Sequence, residues 1–228
     1  MVLLIGAKSY AIIISLLLLL FSSYLFMHAS FKHAYIHTAI ASPSSNTYNT
    51  FLIYENAQYG FQIQYPSNWQ KIEFSQGIER SGRNIVINFL SPSEGTADKF
   101  REYFIIEVGD LQSQQKLVSS SFSASQTSLL THYINQQISL YKKLFHGFQL
   151  IESSSSDKNK GNSTTTTFSN IIYTYEDLTA GKVKIMESYF LKKDKIYLLS
   201  FHSEATNYEK YLPTIQKMVD SFHLTVTN

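Results

Sequence analysis

Apolar and polar side chains alternate along Phe61-Gln62-Ile63-Gln64-Tyr65, the two-residue period of a strand with one buried face. Pro66-Ser67-Asn68 ends that strand in turn residues, and Trp69 opens the next apolar segment. Strands with similar signals are predicted over 84–90, 103–108, 148–152, 171–176, 183–191 and 196–202. Short connections at Thr179-Ala180-Gly181-Lys182 and Lys192-Lys193-Asp194-Lys195 join the last three as successive hairpins, so at least half of the sheet is expected to be antiparallel. In two stretches the period changes to three and four. Leu130, Tyr133, Ile134, Ile138, Tyr141 and Phe145 share one helical face, as do Tyr208, Tyr211, Leu212, Ile215, Met218, Val219 and Phe222. Thr206 with Glu209 matches a capping box for the second helix, and Pro213 predicts a bend or a restart within it. The tract 153–167 has no apolar residue and reads as a long exposed loop. Two helices on a mainly antiparallel sheet make a layered α+β domain, with Phe61, Ile63 and Trp69 in its core and Gln62 and Gln64 on the more tolerant face.

The N-terminal fifty residues follow another pattern. No formally charged side chain occurs between Lys8 and Lys32, and the centre reads AIIISLLLLLFSSYLFM. At 1.5 Å per residue, about 20 residues cross a hydrocarbon core of roughly 30 Å. The expected organisation is a short leading segment, 1–8, a single-pass transmembrane helix or uncleaved signal anchor, 9–27, a polar tether, 28–50, and one domain, 51–228. A cleaved signal peptide is the competing reading, with Ala39-Ile40-Ala41 as its site, but that site lies far beyond the apolar run. Lys8 and the amino terminus lean towards an N-terminus inside the cell and a domain outside the cytoplasm.

Charge and composition narrow the function. The chain carries 19 basic and 17 acidic residues, and removing Lys8 and Lys32 leaves the domain formally neutral. A nucleic-acid partner is therefore not expected. With no cysteine, neither a disulfide nor a thiolate metal site exists. No G-x-S-x-G, G-x-G-x-x-G or Walker pattern occurs, so no catalytic residue is assigned and no cofactor is expected. His33 and His37, four apart with His28 nearby, are the metal-ligand candidates, because two imidazoles on one helical face chelate zinc or copper once a third ligand arrives. Asp110 and Glu176-Asp177 lack the alternating spacing of a calcium loop and read as turn residues. Asn162 begins the one N-x-S/T sequon, a possible glycosylation site outside the cell. The 16 tyrosines are assigned to strand packing rather than to a recognition surface.

YGFQIQYPSNW near the start of the domain, HGFQLIES after the first helix, the three closing strands and KYLPTIQKMVDSFHL at the end together resemble the PsbP-like family, related to the extrinsic PsbP subunit of photosystem II and here of the membrane-anchored prokaryotic or archaeal type. The resemblance covers nearly all of residues 52–226. It implies an α/β/α sandwich, a central mainly antiparallel sheet with helices on both faces, a fold shared with a nuclear import factor that binds the GTPase Ran. Its motifs are core residues and carry no chemistry. The function expected is a non-catalytic, membrane-anchored, extracytoplasmic binding or assembly subunit whose partner is another membrane or envelope protein. A metal-binding accessory protein and an unrecognised hydrolase are the alternatives.

Overall fold

The computed structural model describes residues 50–80, 82–96, 98, 100–111, 125–158 and 166–225. In chain order its elements are β1 (Phe51–Asn56), β2 (Phe61–Pro66), β3 (Gln70–Arg80), β4 (Arg83–Leu90), β5 (Tyr103–Asp110), α1 (Gln126–Leu144), β6 (Gln149–Lys158), β7 (Thr166–Asp177), β8 (Gly181–Lys192), β9 (Lys195–Glu204), α2 (Tyr208–Ser221) and β10 (His223–Leu224). A seven-stranded sheet runs β3-β4-β5-β9-β8-β7-β6, and a three-stranded sheet runs β1-β2-β10. Every pairing in both is antiparallel. The register sets Gln70, Leu90, Tyr103, His202, Ile185, Tyr173 and Leu150 in one row across the large sheet. Beyond that row, at one end of the sheet, lie the β2–β3, β4–β5, α1–β6 and β7–β8 connections. Thr50, where the chain comes into the fold, sits at the same end, its carbonyl accepting from Ser67 N at 2.9 Å.

Strand alternation sends apolar side chains to both faces of the large sheet, and each face is covered. On one, Phe104, Ile106, Leu199 and Phe201 pack against Phe61, Ile63 and Trp69 from the small sheet and its turn, and against Ile215, Met218 and Phe222 from α2 and its end. On the other, Ile185, Tyr189 and Leu198 pack against Leu130, Tyr133, Ile134, Ile138 and Tyr141 of α1. The expected sandwich is present, with the small sheet sharing a layer with α2.

Several local expectations are corrected. Residues 153–158 and 166–167 are strand, not loop: β6 is the outermost strand, where polar side chains cost nothing, and the hydroxyls of Ser155 and Ser169 meet at 3.0 Å while Ser169 Oγ donates to Ser154 O. Asn207 rather than Thr206 caps α2, and its side chain turns away to donate to Glu102 and Glu204. The helix continues through Pro213, which is exposed, so water can reach the carbonyl that the missing N–H leaves free. Among the described residues no helix is long and apolar enough to cross a membrane, and the apolar run 9–27 lies outside them.

Candidate functional site

Two polar assemblies stand out, one inside and one at the surface. The interior one lies between α1 and the large sheet. Arg83, Glu107 and Glu187 are each almost fully buried, at 4%, 3% and 3% exposure. A buried charge must be paired or neutralised. Arg83 Nε donates to Glu107 Oε2 at 2.7 Å, and its Nη1 reaches the Tyr133 hydroxyl. Glu187 is ringed by phenols: Tyr173 donates at 3.0 Å and Tyr141 at 3.1 Å to Oε1, and Tyr189 binds Oε2. The tyrosines read as packing residues thus also satisfy an acid that sequence reasoning missed. Its signal was visible, a glutamate at an inward position of the apolar run Val183–Leu191.

This assembly fastens a helix to a sheet and offers no route to a substrate. Burial pushes the Glu187 carboxyl up, opposed by the bond from Tyr189 and by the Arg83 charge. Burial likewise raises Tyr133, Tyr141, Tyr173 and Tyr189. Because the folded-state value of Glu187 is raised, its stabilising contribution is complete below its ordinary 4.5 and is lost as pH rises through the folded value. In thermal melts from pH 4.5 upward, the wild type is expected to lose stability relative to Glu187→Gln. An offset between the two proteins that stays constant with pH would contradict this.

At the surface, two hollows are open to solvent. One, of about 250 Å³, lies under the β1–β2 turn, where Asn56 already bonds Tyr54 and the Tyr59 amide and Glu73 is paired with Lys71 at 2.6 Å, so its polar groups satisfy one another. The other, of about 240 Å³, is framed by Pro66 and Trp69 of the β2–β3 turn, Pro92 and Glu94 beyond β4, and Lys210 and Tyr211 of α2. Trp69 N donates to Pro66 O at 3.0 Å, closing the turn that aims the indole inward. The ring meets Tyr211 edge to face at 6.0 Å and is 6% exposed, so it is a core residue whose rim forms a wall of the hollow. Glu94 accepts from Tyr211 at 2.5 Å and from Lys210, and the Lys210 bond, then the Tyr211 bond, hold its carboxyl below the usual range. Burial, then the bond to Glu94, pushes the Tyr211 phenol up. Beside the hollow, Glu204 is raised by burial and by the charges of Glu102, Asp98 and Glu94.

Chemically, this second hollow binds more readily than it reacts. A general acid at neutral pH needs a raised carboxyl; Glu94, which lines the hollow, is lowered, and the raised Glu204 is not one of its lining residues. Among the described residues, the one hydroxyl–imidazole pair that resembles a nucleophile and base, Ser200 Oγ and His202 Nε2 at 2.7 Å, is buried under the Tyr103 ring, which stacks on His202 at 4.4 Å. His132, His146, His202 and His223 fall on four different parts of the fold, and among the described residues no three histidine or acidic side chains are grouped to hold a metal. Asp110 stands opposite Lys195 in the β5–β9 ladder, and Asp177 closes the β7–β8 turn. His33, His37 and Asn162 lie outside the described residues.

The sequence profile of the PsbP family matches residues 49–224. The chain belongs to the PsbP family. As a PsbP-family domain it is similar to the solution structure of cyanobacterial PsbP from Synechocystis sp. PCC 6803, at 11% identity and a TM-score of 0.52, over 81% of this chain and 98% of that one. A protein of unknown function from Pseudomonas aeruginosa, described as a putative regulator, matches at 14% identity and a TM-score of 0.47, over 78% of this chain and 99% of that one. LpqN of Mycobacterium tuberculosis, described as involved in cell envelope biogenesis, matches at 8% identity and a TM-score of 0.45, over 80% of this chain and 88% of that one. No curated protein matches the chain. At these identities the likeness to cyanobacterial PsbP concerns the fold, and none of the hollow's side chains takes a role from it.

Proposed function

We propose that this PsbP-family protein is a non-catalytic, membrane-anchored subunit that holds its domain outside the cytoplasm and docks another envelope protein at the hollow between Trp69, Glu94 and Tyr211. The observation that carries the reading is the form of that hollow. Its aromatic wall is fixed from behind by core packing, so little ordering entropy is lost when a partner side chain enters. Its one ion pair, Glu94 with Lys210, is solvent-accessible on both sides and contributes little to stability, which leaves it free to change partners. Few catalytic demands are met there, and many of those for recognition are.

A photo-crosslinking amino acid placed at Asn68 or Thr214, both at the hollow, tests this in the full chain in its native membrane. Adducts to one envelope protein are expected from both positions and none from Gln58 at the opposite end. Lys210→Glu sets two carboxylates against each other at the rim and is expected to reduce the adducts about tenfold or more, while shifting stability by no more than about 1 kcal/mol. Equal adducts with and without Lys210→Glu would reject the hollow as the docking site. Protection of the domain from protease added to intact cells would reject its placement.

A further inference from the structure

A second surface feature lies at the end of the sheet where the chain comes into the fold. The β7–β8 turn presents Leu178 at 100% exposure, although the turn itself is well fixed. Asp177 Oδ1 accepts from Thr179 N at 2.8 Å and from Ala180 N at 2.9 Å, and Ala180 packs on the core under α1. The leucine is thus held outward by an ordered turn with nothing among the described residues to cover it. Its neighbour is the last turn of α1: Glu176 N donates to His146 O at 2.8 Å, and Phe145 stacks on Tyr175 with ring centres 4.6 Å apart. That helical turn adds Leu144, 47% exposed, and one turn back Leu140, 39% exposed. The same turn carries Lys142 and Lys143, which form no ion pair among the described residues. Of the nearby carboxylates, Glu176 stands opposite Lys182 in the ladder and Asp177 is turned onto the amides of its own turn. The corner therefore combines protruding aliphatic side chains with two lysines that form no ion pair among the described residues.

We propose that this corner rests on a bilayer surface containing anionic lipid, with Leu178 and Leu144 entering the head-group boundary and Lys142 and Lys143 meeting lipid phosphates. The proposal rests on the membrane-anchored reading, and the position of Thr50 supports it. Thr50, the described residue next to the expected tether, stands at the end of the sheet that carries the corner. The expected tether, 28–50, could not hold the domain more than about 80 Å from the membrane even if fully extended. An anionic surface fits the lysines better than a purely apolar protein groove does, since such a groove would have to desolvate them.

Because the chain has no cysteine, Leu178→Cys provides one site for an environment-sensitive nitrobenzoxadiazole probe. Leu178 touches none of the core, so the substitution leaves folding intact. Full-length protein is reconstituted into vesicles of phosphatidylcholine with or without phosphatidylglycerol, and vesicle flotation is read alongside emission. The expected result is a blue shift and quenching by nitroxide lipids in vesicles with phosphatidylglycerol, loss of both with Lys142→Glu and Lys143→Glu together, and aqueous emission from Gln58→Cys at the opposite end. Protein that floats with the vesicles while the probe at position 178 stays aqueous would overturn the corner and leave the anchor standing. Protein that does not float would overturn the anchored reading and this proposal with it. A shift found in native membranes but not in lipid vesicles would assign the corner to a protein partner and overturn the lipid.

Discussion

Arg83→Met is expected to cost the domain about 3–5 kcal/mol, because it takes the guanidinium away from the buried Glu107 carboxylate that it faces at 2.7 Å. Both groups are inaccessible to water, at 4% and 3% exposure, and the guanidinium also binds the Tyr133 hydroxyl, so the loss extends to the seat of α1. The intact pair is a different matter. Bringing two ions into the interior costs several kcal/mol each, and their attraction roughly offsets this. Arg83→Met combined with Glu107→Leu is therefore expected to recover most of the loss seen in the single variant. Urea melts of the three proteins measure it. A double variant no more stable than Arg83→Met alone would show that the pair does more than neutralise itself.

Phe61→Ala is the second large effect, about 3–5 kcal/mol out of the roughly 5–15 kcal/mol that holds an ordinary domain together. Phe61 is fully buried, and its ring lies 5.6 Å from Phe222, 5.9 Å from Tyr54 and 6.4 Å from Tyr197. It is the point where β1, β9 and the end of α2 converge, and its backbone pairs with Leu224 of β10. Removing the ring opens a cavity between the small sheet and the large one, so the transition should shift without broadening if the two sheets unfold together. A Phe61→Ala protein that keeps the wild-type midpoint would mean that the small sheet is not part of the same cooperative unit. Trp69→Ala belongs to the same class of core truncation, with loss of the hollow's wall in addition.

How far the sequence could be read follows from where each signal lies. Strands β8 and β9 were legible because side chains on both of their faces enter a core and make near-continuous apolar runs, and helix α1 because every third and fourth side chain does. Strand β1 was not, since an edge strand of a small sheet buries only Tyr54 fully and shows no clean alternation. The pairing of β2 with β1 and β10, rather than with β3 beyond the turn, has no local signature. It is decided by contacts between residues far apart in the chain. The hollow is built from 66–69, 92–94 and 210–214, three segments that only folding brings together, so no spacing rule could have found it. Glu187, Arg83 and Glu107 did leave a trace, each a lone charge in or beside an apolar strand.

The order of strands in the large sheet also constrains how the protein is made. Its middle is the β5–β9 pair, and α1 with β6, β7 and β8 is synthesised between those two partners. The small sheet is completed only when β10, near the chain's end, reaches β2. A chain emerging from the ribosome can form the β7–β8 hairpin early, yet it has no closed sheet until Lys195–Glu204 has appeared. Loop closure on that scale is slow compared with local hairpin formation. On the placement proposed above, a chain that must cross a membrane unfolded gains from this order, because the central pairing waits until β9 has been made and only the β2–β10 pairing comes later.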